Sequence, residues 1–363
     1  MLRETLECAF GHFDLIRPGA HKKQPLRAWD AADEYLIDLI SQRQVSTPLI
    51  ILNDQFGALG CALNSLDPVW ISDSFCAKQA LEQNLTANHL KPLCSLNALE
   101  TPNIQTDLAI LKLPKNTSFL EYQLNQCFEM GVKEVLIAGM MKHLPKNLLK
   151  LLLQYGEVER LPFIKKSTVF QLTISKGQLT PYPKSNAFFD VKLLSHANVF
   201  GRDKLDPGAQ FFLENIQKIP RKNKVADLCC GSGILGIRYA QLHQEASVDF
   251  YDESHMSISS TESSWSLNQL SQNAHFYWQD GLGESPSSYD LILCNPPFHE
   301  AHTVGDHISK RLFKQAKQAL GQSGHLLVVG NRHLKYHVSL KHHFKHVETI
   351  AANSKFVLLE AHG

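Results

Sequence analysis

Short apolar strands alternate with helical segments along the second half of the chain. Strands are predicted at "KVADLCC", "ASVDFYD", "AHFYWQD", "YDLILC" and "GHLLVVG", and helices at "GSGILGIRYAQLH", "SISSTESSWSLNQL" and "ISKRLFKQAKQAL". This alternation predicts a parallel sheet with helices on both faces, and ligands then bind beyond the carboxyl ends of the strands. The closing "HFKHVETIAANSKFVLLEA" predicts two more strands, paired as a hairpin at the sheet edge.

The first half of the chain repeats the same order more weakly. "PLIILNDQFGALGCAL" (48–63) aligns with "KVADLCCGSGILGIRY" (224–239), and "DLAILKLPKN" (107–116) aligns with "DLILCNPPFH" (290–299). We therefore predict an α/β protein made of two tandem, duplicated Rossmann-like domains, at 1–185 and 186–363. The stretch from about 160 to 190 is rich in Thr, Ser, Lys and Pro and predicts a β-hairpin and linker.

The two copies differ where ligands are expected. In the alignment, the first copy has Gln55 at the position of Gly231, Lys112 at that of Asn295 and Lys115 at that of Phe298. The distance along the chain after the glycines instead aligns Asp73 with Asp252. We interpret the first domain as a degenerate copy and expect the chemistry in the second.

Composition excludes some classes of protein. The 363 residues are 44% hydrophobic, enough to bury two cores, and 36 basic against 35 acidic residues give a net charge of +1 that neither favours nor forbids a nucleic-acid partner. No signal peptide and no run of roughly 18 apolar residues is present, so we expect a soluble cytoplasmic protein with no membrane span. The eight cysteines form no CxxC pair, which favours reduced thiols and no metal site.

A glycine loop follows the first strand of the second domain. In "DLCCGSG", Gly231 and Gly233 allow a sharp turn and close approach of a ligand. Dinucleotides and flavins use similar loops, and Gly236 completes the GxGxxG pattern, so a nicotinamide cofactor stays open at this point. Asp252, at the end of the next strand, is a candidate acceptor for two ribose hydroxyls; a helix cap or turn is its structural alternative.

Two further segments are candidates for the same ligand. Asp280, in "WQDG", is a candidate acceptor for an adenine amino group, or the first residue of an Asp-Gly turn. "HANVFGRDKLDPGAQFF" (196–212) carries Phe200, Asp206 and Gly208 and either closes over the ligand or packs at the domain edge.

The segment "NPPF" (295–298) determines the class of chemistry. It offers no His or Lys proton relay for hydride transfer. The Asn295 side-chain oxygen and the Pro296 carbonyl can instead accept the two protons of an exocyclic amine, whose lone pair then faces a methyl donor. Pro296 and Pro297 make the turn rigid, and Phe298 is expected to stack on the flat face of the substrate.

These motifs resemble a known family. The second half is similar to S-adenosylmethionine-dependent methyltransferases that modify amino groups, and nearly the whole chain resembles the RlmG/RsmC family of ribosomal RNA (guanine-N2)-methyltransferases. The resemblance is carried by "LRAWDAADEYLI" (26–37), "LIILNDQFGAL" (49–59), "HANVFGRDKLDPGAQFF", "DLCCGSGILG", "CNPPFH", "NRHLKY" (331–336) and "NSKFVLLEA" (353–361). Cys230 and Ser232 depart from the "GCGNG" expected in the glycine loop, whereas both flanking glycines are kept.

The resemblance implies S-adenosylmethionine as cofactor and a guanine N2 of 23S rRNA as acceptor. It assigns donor binding to Phe200, Asp227, Gly231, Gly233, Asp252, Asp280 and Asn295, and catalysis to Asn295, Pro296, Pro297 and Phe298. It further implies a monomer acting on protein-free or partly assembled large-subunit RNA. The alternatives are a 16S rRNA guanine, adenine N6 or a protein glutamine as acceptor, and a catalytically inactive RNA-binding protein.

An RNA substrate requires basic contacts, because the target base must be single-stranded or flipped out of a helix. We expect the first domain, through Lys112 and Lys115, to position RNA. Other candidates are Lys165, Lys166, Arg221, Lys222, Lys224 and "KHHFKH" (341–346). His299, His302 and His333 lie near the predicted pocket, but their spacing does not indicate a metal site.

Overall fold

The computed structural model describes residues 3–19, 26–45, 48–283, 288–297 and 304–363, the last range with side chains from residue 308. Phe298, His299 and His302 lie outside the described residues. The chain forms two compact units, Met1–Pro181 and Tyr182–Gly363.

The first unit is built on a seven-stranded sheet in the order β5-β4-β3-β6-β7-β9-β8, with β1 and β2 forming a separate hairpin. Strands β3 to β7 pair in parallel, and β9 is antiparallel to both of its neighbours. The strands are β1 (Arg3–Cys8), β2 (Gly11–Ile16), β3 (Ile50–Leu52), β4 (Val69–Ser72), β5 (Cys94–Asn97), β6 (Leu108–Lys112), β7 (Glu134–Met140), β8 (Gly156–Arg160) and β9 (Ser167–Ile174). The helices are α1 (Ala31–Ser41), α2 (Ala58–Ala62), α3 (Phe75–Ala87), α4 (Thr117–Glu129) and α5 (Leu148–Leu152).

The second unit repeats this topology, with a seven-stranded sheet in the order β14-β13-β12-β15-β16-β18-β17 and a separate hairpin of β10 and β11. The strands are β10 (Lys184–Phe188), β11 (Val191–Ser195), β12 (Lys224–Leu228), β13 (Ser247–Asp252), β14 (Ala274–Trp278), β15 (Tyr289–Cys294), β16 (Leu320–Asn331), β17 (His346–Ala352) and β18 (Phe356–His362). The helices are α6 (Pro207–Glu214), α7 (Ile234–Leu242), α8 (His255–Leu267), α9 (Val304–Ala319) and α10 (Tyr336–Leu340). The predicted pair of Rossmann-like domains and the closing hairpin are confirmed.

The region between the domains differs from the prediction. Residues 167–174, expected in a hairpin and linker, form β9 inside the first sheet, where the consecutive side chains of Val169 and Phe170 are buried in the two cores on opposite faces of the sheet. The predicted boundary at 185 falls within β10, which belongs to the second unit.

Each sheet is buried on both faces, as a parallel sheet in this kind of fold requires. In β15, Leu291 and Leu293 pack with α6, α7 and α8 on one face, whereas Ile292 and Cys294 pack with α9 and α10 on the other. Parallel strands β12 to β16 bring their carboxyl ends to one edge, where most of the predicted site residues lie.

The duplication includes the hairpin before each sheet. In the first unit the side chain of Asn88 bonds the backbone N–H and carbonyl of Asp14. In the second unit the side chain of Asn268 bonds the same two groups of Lys192. Each asparagine directly follows the helix that comes after the second strand of its sheet, α3 or α8, so both hairpins dock in the same way.

Candidate active site

The glycine loop connects β12 to α7, and its two glycines have different functions. Gly231 and Gly233 have φ angles of 56° and 75°, a backbone region that favours glycine. A Cβ on Gly233 would lie 2.4 Å from Cγ2 of Thr261, whereas a Cβ on Gly231 would meet only the Phe200 carbonyl, at 3.9 Å. Gly233 thus permits close packing against α8, and Gly231 leaves open space above the loop.

Asp252 fixes this loop from the end of β13. Its Oδ2 accepts the Gly231 N–H at 2.9 Å, and its Oδ1 accepts the Ser254 N–H at 2.9 Å. Asp252 therefore is a turn residue, as its structural alternative predicted, and it also fixes the glycine loop. Each carboxylate oxygen can accept more than one hydrogen bond, so the ribose interaction stays compatible with this geometry.

Asp227 lies beneath the loop and is only 1% exposed. Its Oδ2 accepts the Gly236 N–H at 2.8 Å, whereas its buried Oδ1 has no partner among the described residues. Burial raises the pKa of this carboxyl to about 7, and the nearby charge of Asp252 raises it as well. A buried acceptor without a partner is costly unless a ligand meets it, and a cationic ligand group fits this position best.

Phe200 and Asp280 lie at the margin of the site. The Phe200 side chain is 64% exposed, and its carbonyl is near Gly231. Oδ1 of Asp280 accepts a hydrogen bond from Nη2 of Arg311 at 2.7 Å. Asp280 is thus held by a partner from α9, and its interaction with an adenine amino group stays a prediction.

Asn295 follows β15, and its amide is fixed in one orientation. Its Nδ2 donates to Oδ2 of Asp206 at 3.0 Å, whereas its buried Oδ1 has no partner among the described residues. Pro296 is buried and Pro297 is exposed. An acceptor is therefore held ready at the position that the sequence assigns to the substrate amine, and Phe298 follows beyond the described residues.

The structure gives Asp206, which the sequence analysis named only as part of a candidate segment, a specific contact, and it adds Asn331. Asp206 caps α6 through the Ala209 N–H at 2.9 Å, and the same oxygen orients Asn295. The "LDPG" stretch indicates a helix start, but no local pattern reveals a bond across 89 positions. Asn331, at the end of β16, is 9% exposed, and its buried Oδ1 also has no partner among the described residues.

In the first unit, the position of Asn295 is occupied by Lys112, whose Nζ lies 2.7 Å from Asp30 and 2.8 Å from Asp33. The Lys112 side chain is only 12% exposed and already paired with two carboxylates, and its contact with RNA stays a prediction. Lys115 is exposed, whereas Nζ of Lys165 is bound to Glu34 at 2.6 Å.

The strand register also corrects the alignment of two acids. Leu52 pairs with Ile71 in the first sheet, and Leu228 pairs with Tyr251 in the second. The residue after Ile71 is Ser72, so Ser72 corresponds to Asp252, and Asp73 corresponds to Glu253.

Neither a metal cluster nor a membrane helix is found among the described residues. No group of three or more His, Cys, Asp or Glu side chains in the described ranges could hold a metal ion. Within the same ranges, no helix combines the length and apolar character needed to cross a membrane.

Comparison with known proteins assigns both units. Residues 3–176 match the RLMG N-terminal domain and residues 190–360 match the methyltransferase small domain. A solved structure of a T. thermophilus 16S rRNA N2 methyltransferase (RsmC), in complex with AdoMet and guanosine, covers 99% of this chain and 98% of its own, with a TM-score of 0.78 and 21% identity. That likeness supports the fold of the whole chain.

Closer relatives define the family. A ribosomal RNA large subunit methyltransferase G from Stutzerimonas stutzeri is 40% identical and covers 98% of both chains. One from Shewanella putrefaciens is 37% identical and covers 96% of both. The chain belongs to the family of ribosomal RNA large subunit methyltransferase G.

Proposed function

We propose that this protein transfers a methyl group from S-adenosylmethionine to the exocyclic N2 amine of a guanine in 23S rRNA. The observation that carries the proposal is the buried, unpartnered Oδ1 of Asn295, held in place by Asp206 beside the glycine loop. An oxygen acceptor at this position suits an amine substrate, because it binds a proton of the amine without competing for the lone pair.

The residues present fit S-adenosylmethionine. The open space above Gly231 admits the ligand, Asp252 can accept ribose hydroxyls, and the free oxygen of Asp227 can accept the cationic amino group. When bound, S-adenosylmethionine supplies an electrophilic methyl group. A dinucleotide would leave Asp227 without a cationic partner, so we set the nicotinamide alternative aside.

The protein acts by positioning the amine. Oδ1 of Asn295 and the carbonyl of Pro296 accept its two protons, which directs the nitrogen lone pair toward the methyl donor. As the nitrogen–methyl bond would form and the sulfonium–methyl bond would break, with S-adenosylhomocysteine as the leaving group, the nitrogen would become cationic and lose one proton to solvent, so no strong general base is required. Stacking of the base on Phe298 stays part of the proposal, on sequence grounds alone.

The assignment to guanine in 23S rRNA takes its support from the relatives. Proteins 37 to 40% identical over the whole chain bear the name of the large-subunit enzyme, and the similar RsmC structure was solved with guanosine. We propose a cytoplasmic location, which is consistent with an rRNA substrate. A monomer acting on protein-free or partly assembled large-subunit RNA is the simplest arrangement.

A local basic surface supports an RNA substrate. Residues 304–346 contain eight lysines and arginines and a single carboxylate, although the chain as a whole carries only +1. The exposed residues of this segment include Lys314 on α9 and Lys341 and His342 after α10. The pKa of His343 is lowered by burial and by the charges of His342 and Lys314, which indicates that these cations are neighbours. Such a surface suits the phosphates of RNA.

The test is methylation of 23S rRNA isolated from cells that lack the gene. Purified protein and S-adenosylmethionine should restore N2-methylguanine, detected by mass spectrometry of nucleosides, and Asn295→Ala should bind S-adenosylmethionine without restoring it. Methylation of 16S rRNA, of adenine or of a protein glutamine instead would overturn the assignment of the acceptor. Donor binding without any methyl transfer would favour an inactive RNA-binding protein.

A further inference from the structure

Two buried amide oxygens without partners lie on the same side of the second sheet. Oδ1 of Asn295 is one, and Oδ1 of Asn331 is the other. Unpaired buried acceptors are rare in folded proteins and cost about 1 to 3 kcal/mol each, so their coincidence at one ligand-binding edge requires an explanation.

The strand register places the two asparagines close together. Cys294 of β15 pairs with Val328 of β16, and β15 and β16 are neighbours. Asn331 is thus two residues beyond the position level with Asn295. With a rise of about 3.3 Å per residue and about 4.8 Å between strands, their Cα atoms are roughly 8 Å apart.

Both side chains lie on the α6 face of the sheet. Asn295 bonds Asp206, the cap of α6. Asn331 pairs with Phe356, whose ring stacks on Phe211 of α6 at 6.2 Å. Paired residues of a sheet project to the same face, so one flat ligand above this edge can contact both amides.

Resting on the proposed function, we infer that Asn331 forms a binding subsite for the N1–H and O6 edge of the substrate guanine. Its Oδ1 accepts the N1–H, and its Nδ2 donates to O6. An amide offers both an acceptor and a donor, which match the N1–H donor and the O6 acceptor of guanine; 2-aminopurine has neither of these two groups. Asn295 then binds the amine that is methylated, and Asn331 identifies the base that carries it.

The inactive copy gives independent support. Leu111 pairs with Ile137 in the first sheet, as Cys294 pairs with Val328 in the second. Three residues further along, Met140 therefore occupies the position of Asn331. A methionine that packs on the core at this position shows that the fold does not require an amide there.

The test compares two bases that share the 2-amino group. After the methylated guanine has been mapped, 23S rRNA is prepared by ligation with guanine or 2-aminopurine at that position; 2-aminopurine lacks both N1–H and O6. We expect the wild-type protein to prefer guanine by about 10- to 100-fold in kcat/KM. Asn331→Met should lower kcat/KM by this factor for RNA with guanine and change it little for RNA with 2-aminopurine. The ratio of the two kcat/KM values should therefore fall toward one.

Several outcomes distinguish specificity from structure. An equal loss on both bases, or a wild-type ratio near one, would overturn the subsite. Asn331→Asp keeps an acceptor for N1–H but loses the donor to O6 and should give an intermediate ratio. The dissociation constant of S-adenosylmethionine is measured for each variant and shows whether its second unit is still folded. Asn353→Ser, in the loop between β17 and β18, is the matched control at an asparagine outside the proposed subsite. A wild-type protein that methylates neither RNA would overturn the proposed function itself.

Discussion

The two units share a fold but differ in what lies at the carboxyl ends of their strands. The order of strands, the register of the central pair and the docking of the preceding hairpin are the same. Four positions of the second unit, Asp227, Asp252, Asn295 and Asn331, correspond to Ile51, Ser72, Lys112 and Met140 in the first. The same sheet thus forms with different residues at these four positions, so its packing does not require the acidic and amide side chains of the second unit.

In the inactive copy, Lys112 and Asp54 at this edge have partners within the unit. Lys112 binds Asp30 and Asp33, and both oxygens of Asp54 accept backbone N–H groups, from Gly57 and Gly60. In the active copy the corresponding edge keeps unpartnered oxygens on Asp227, Asn295 and Asn331. The two copies therefore differ at this edge: the oxygens of Asp54 are paired, whereas Asp227, Asn295 and Asn331 each keep one oxygen without a partner among the described residues.

The largest expected effect comes from moving the residue of the inactive copy into the active one. Asn295→Lys should pair with Asp206 as Lys112 pairs with Asp30, so the unit stays folded. The acceptor for the amine is lost and a donor replaces it, and we expect kcat to fall by about 10³-fold or more. Methyl transfer and S-adenosylmethionine binding are measured together, and a variant with kcat within tenfold of wild type would contradict the assigned function of Asn295.

The reverse exchange tests the first unit. Lys112→Asn removes the cation between Asp30 and Asp33 and leaves the buried carboxylate of Asp33 without its ion pair, which we expect to destabilise the unit by about 3 to 5 kcal/mol. Hydrogen exchange in peptides from β6 and β7 should accelerate, with β15 and β16 as internal reference.

A lower pH should reduce the loss of stability that Lys112→Asn causes in the first unit. Burial raises the pKa of Asp33 to about 6 even with Lys112 present, and loss of the cation raises it further. The carboxyl therefore takes up a proton as the pH falls from 7 to 5, which removes the unpaired charge. Lys115→Asn, at an exposed lysine, is the control and should change stability by less than about 0.5 kcal/mol. If the loss of stability in Lys112→Asn did not change with pH, the unpaired charge of Asp33 would not be its cause.

Local patterns predicted the fold and much of the site. Strand ends, a glycine loop and "NPPF" are continuous in sequence, so Gly231, Asp252 and Asn295 could be assigned to one edge of a parallel sheet before any coordinates. The pairing of Asp73 with Asp252 was wrong, because counting along the chain cannot detect that the connection through α2 is shorter in the first unit. Only the register of β3 with β4 reveals Ser72 as the equivalent residue.

Contacts between distant segments could not be predicted. The two carboxylates that bind Lys112 lie about 80 positions earlier in the chain, so no local pattern indicates that this lysine is paired. The orientation of Asn295 by Asp206 and the unpartnered oxygen of Asn331 likewise depend on packing, which decides which polar atoms are buried and which are already bonded.

A second exchange tests donor binding. Asp252→Ser introduces the residue of the first unit, whose hydroxyl accepts the Ser74 N–H at 3.1 Å as Asp252 accepts the Ser254 N–H. The turn is therefore kept, but the carboxylate that fixes Gly231 and accepts ribose hydroxyls is lost. We expect the affinity for S-adenosylmethionine, measured by calorimetry, to fall by about 100-fold. Glu253→Gln, at the position of Asp73, is the control. An equal loss of affinity in this variant would mean that negative charge near the site, and not the specific contacts of Asp252, determines binding.

The smallest expected effect is a pH dependence through Asp227, whose Oδ1 has no partner among the described residues, whereas both oxygens of the buried Asp54 in the first unit accept backbone N–H groups. Burial raises the pKa of Asp227 to about 7, and a cationic ligand group binds only the ionised form. The ionised fraction rises from about 0.1 at pH 6 to about 0.5 at pH 7, so the affinity for S-adenosylmethionine should increase about fivefold over this interval. Calorimetry in buffers of different ionisation enthalpy should detect a proton released on binding, because the ligand favours the charged carboxylate. Asp227→Asn cannot titrate and should bind more weakly, with a flat profile between pH 6 and 7. A wild-type profile that is flat over the same interval would mean that the free oxygen of Asp227 does not bind the cationic group.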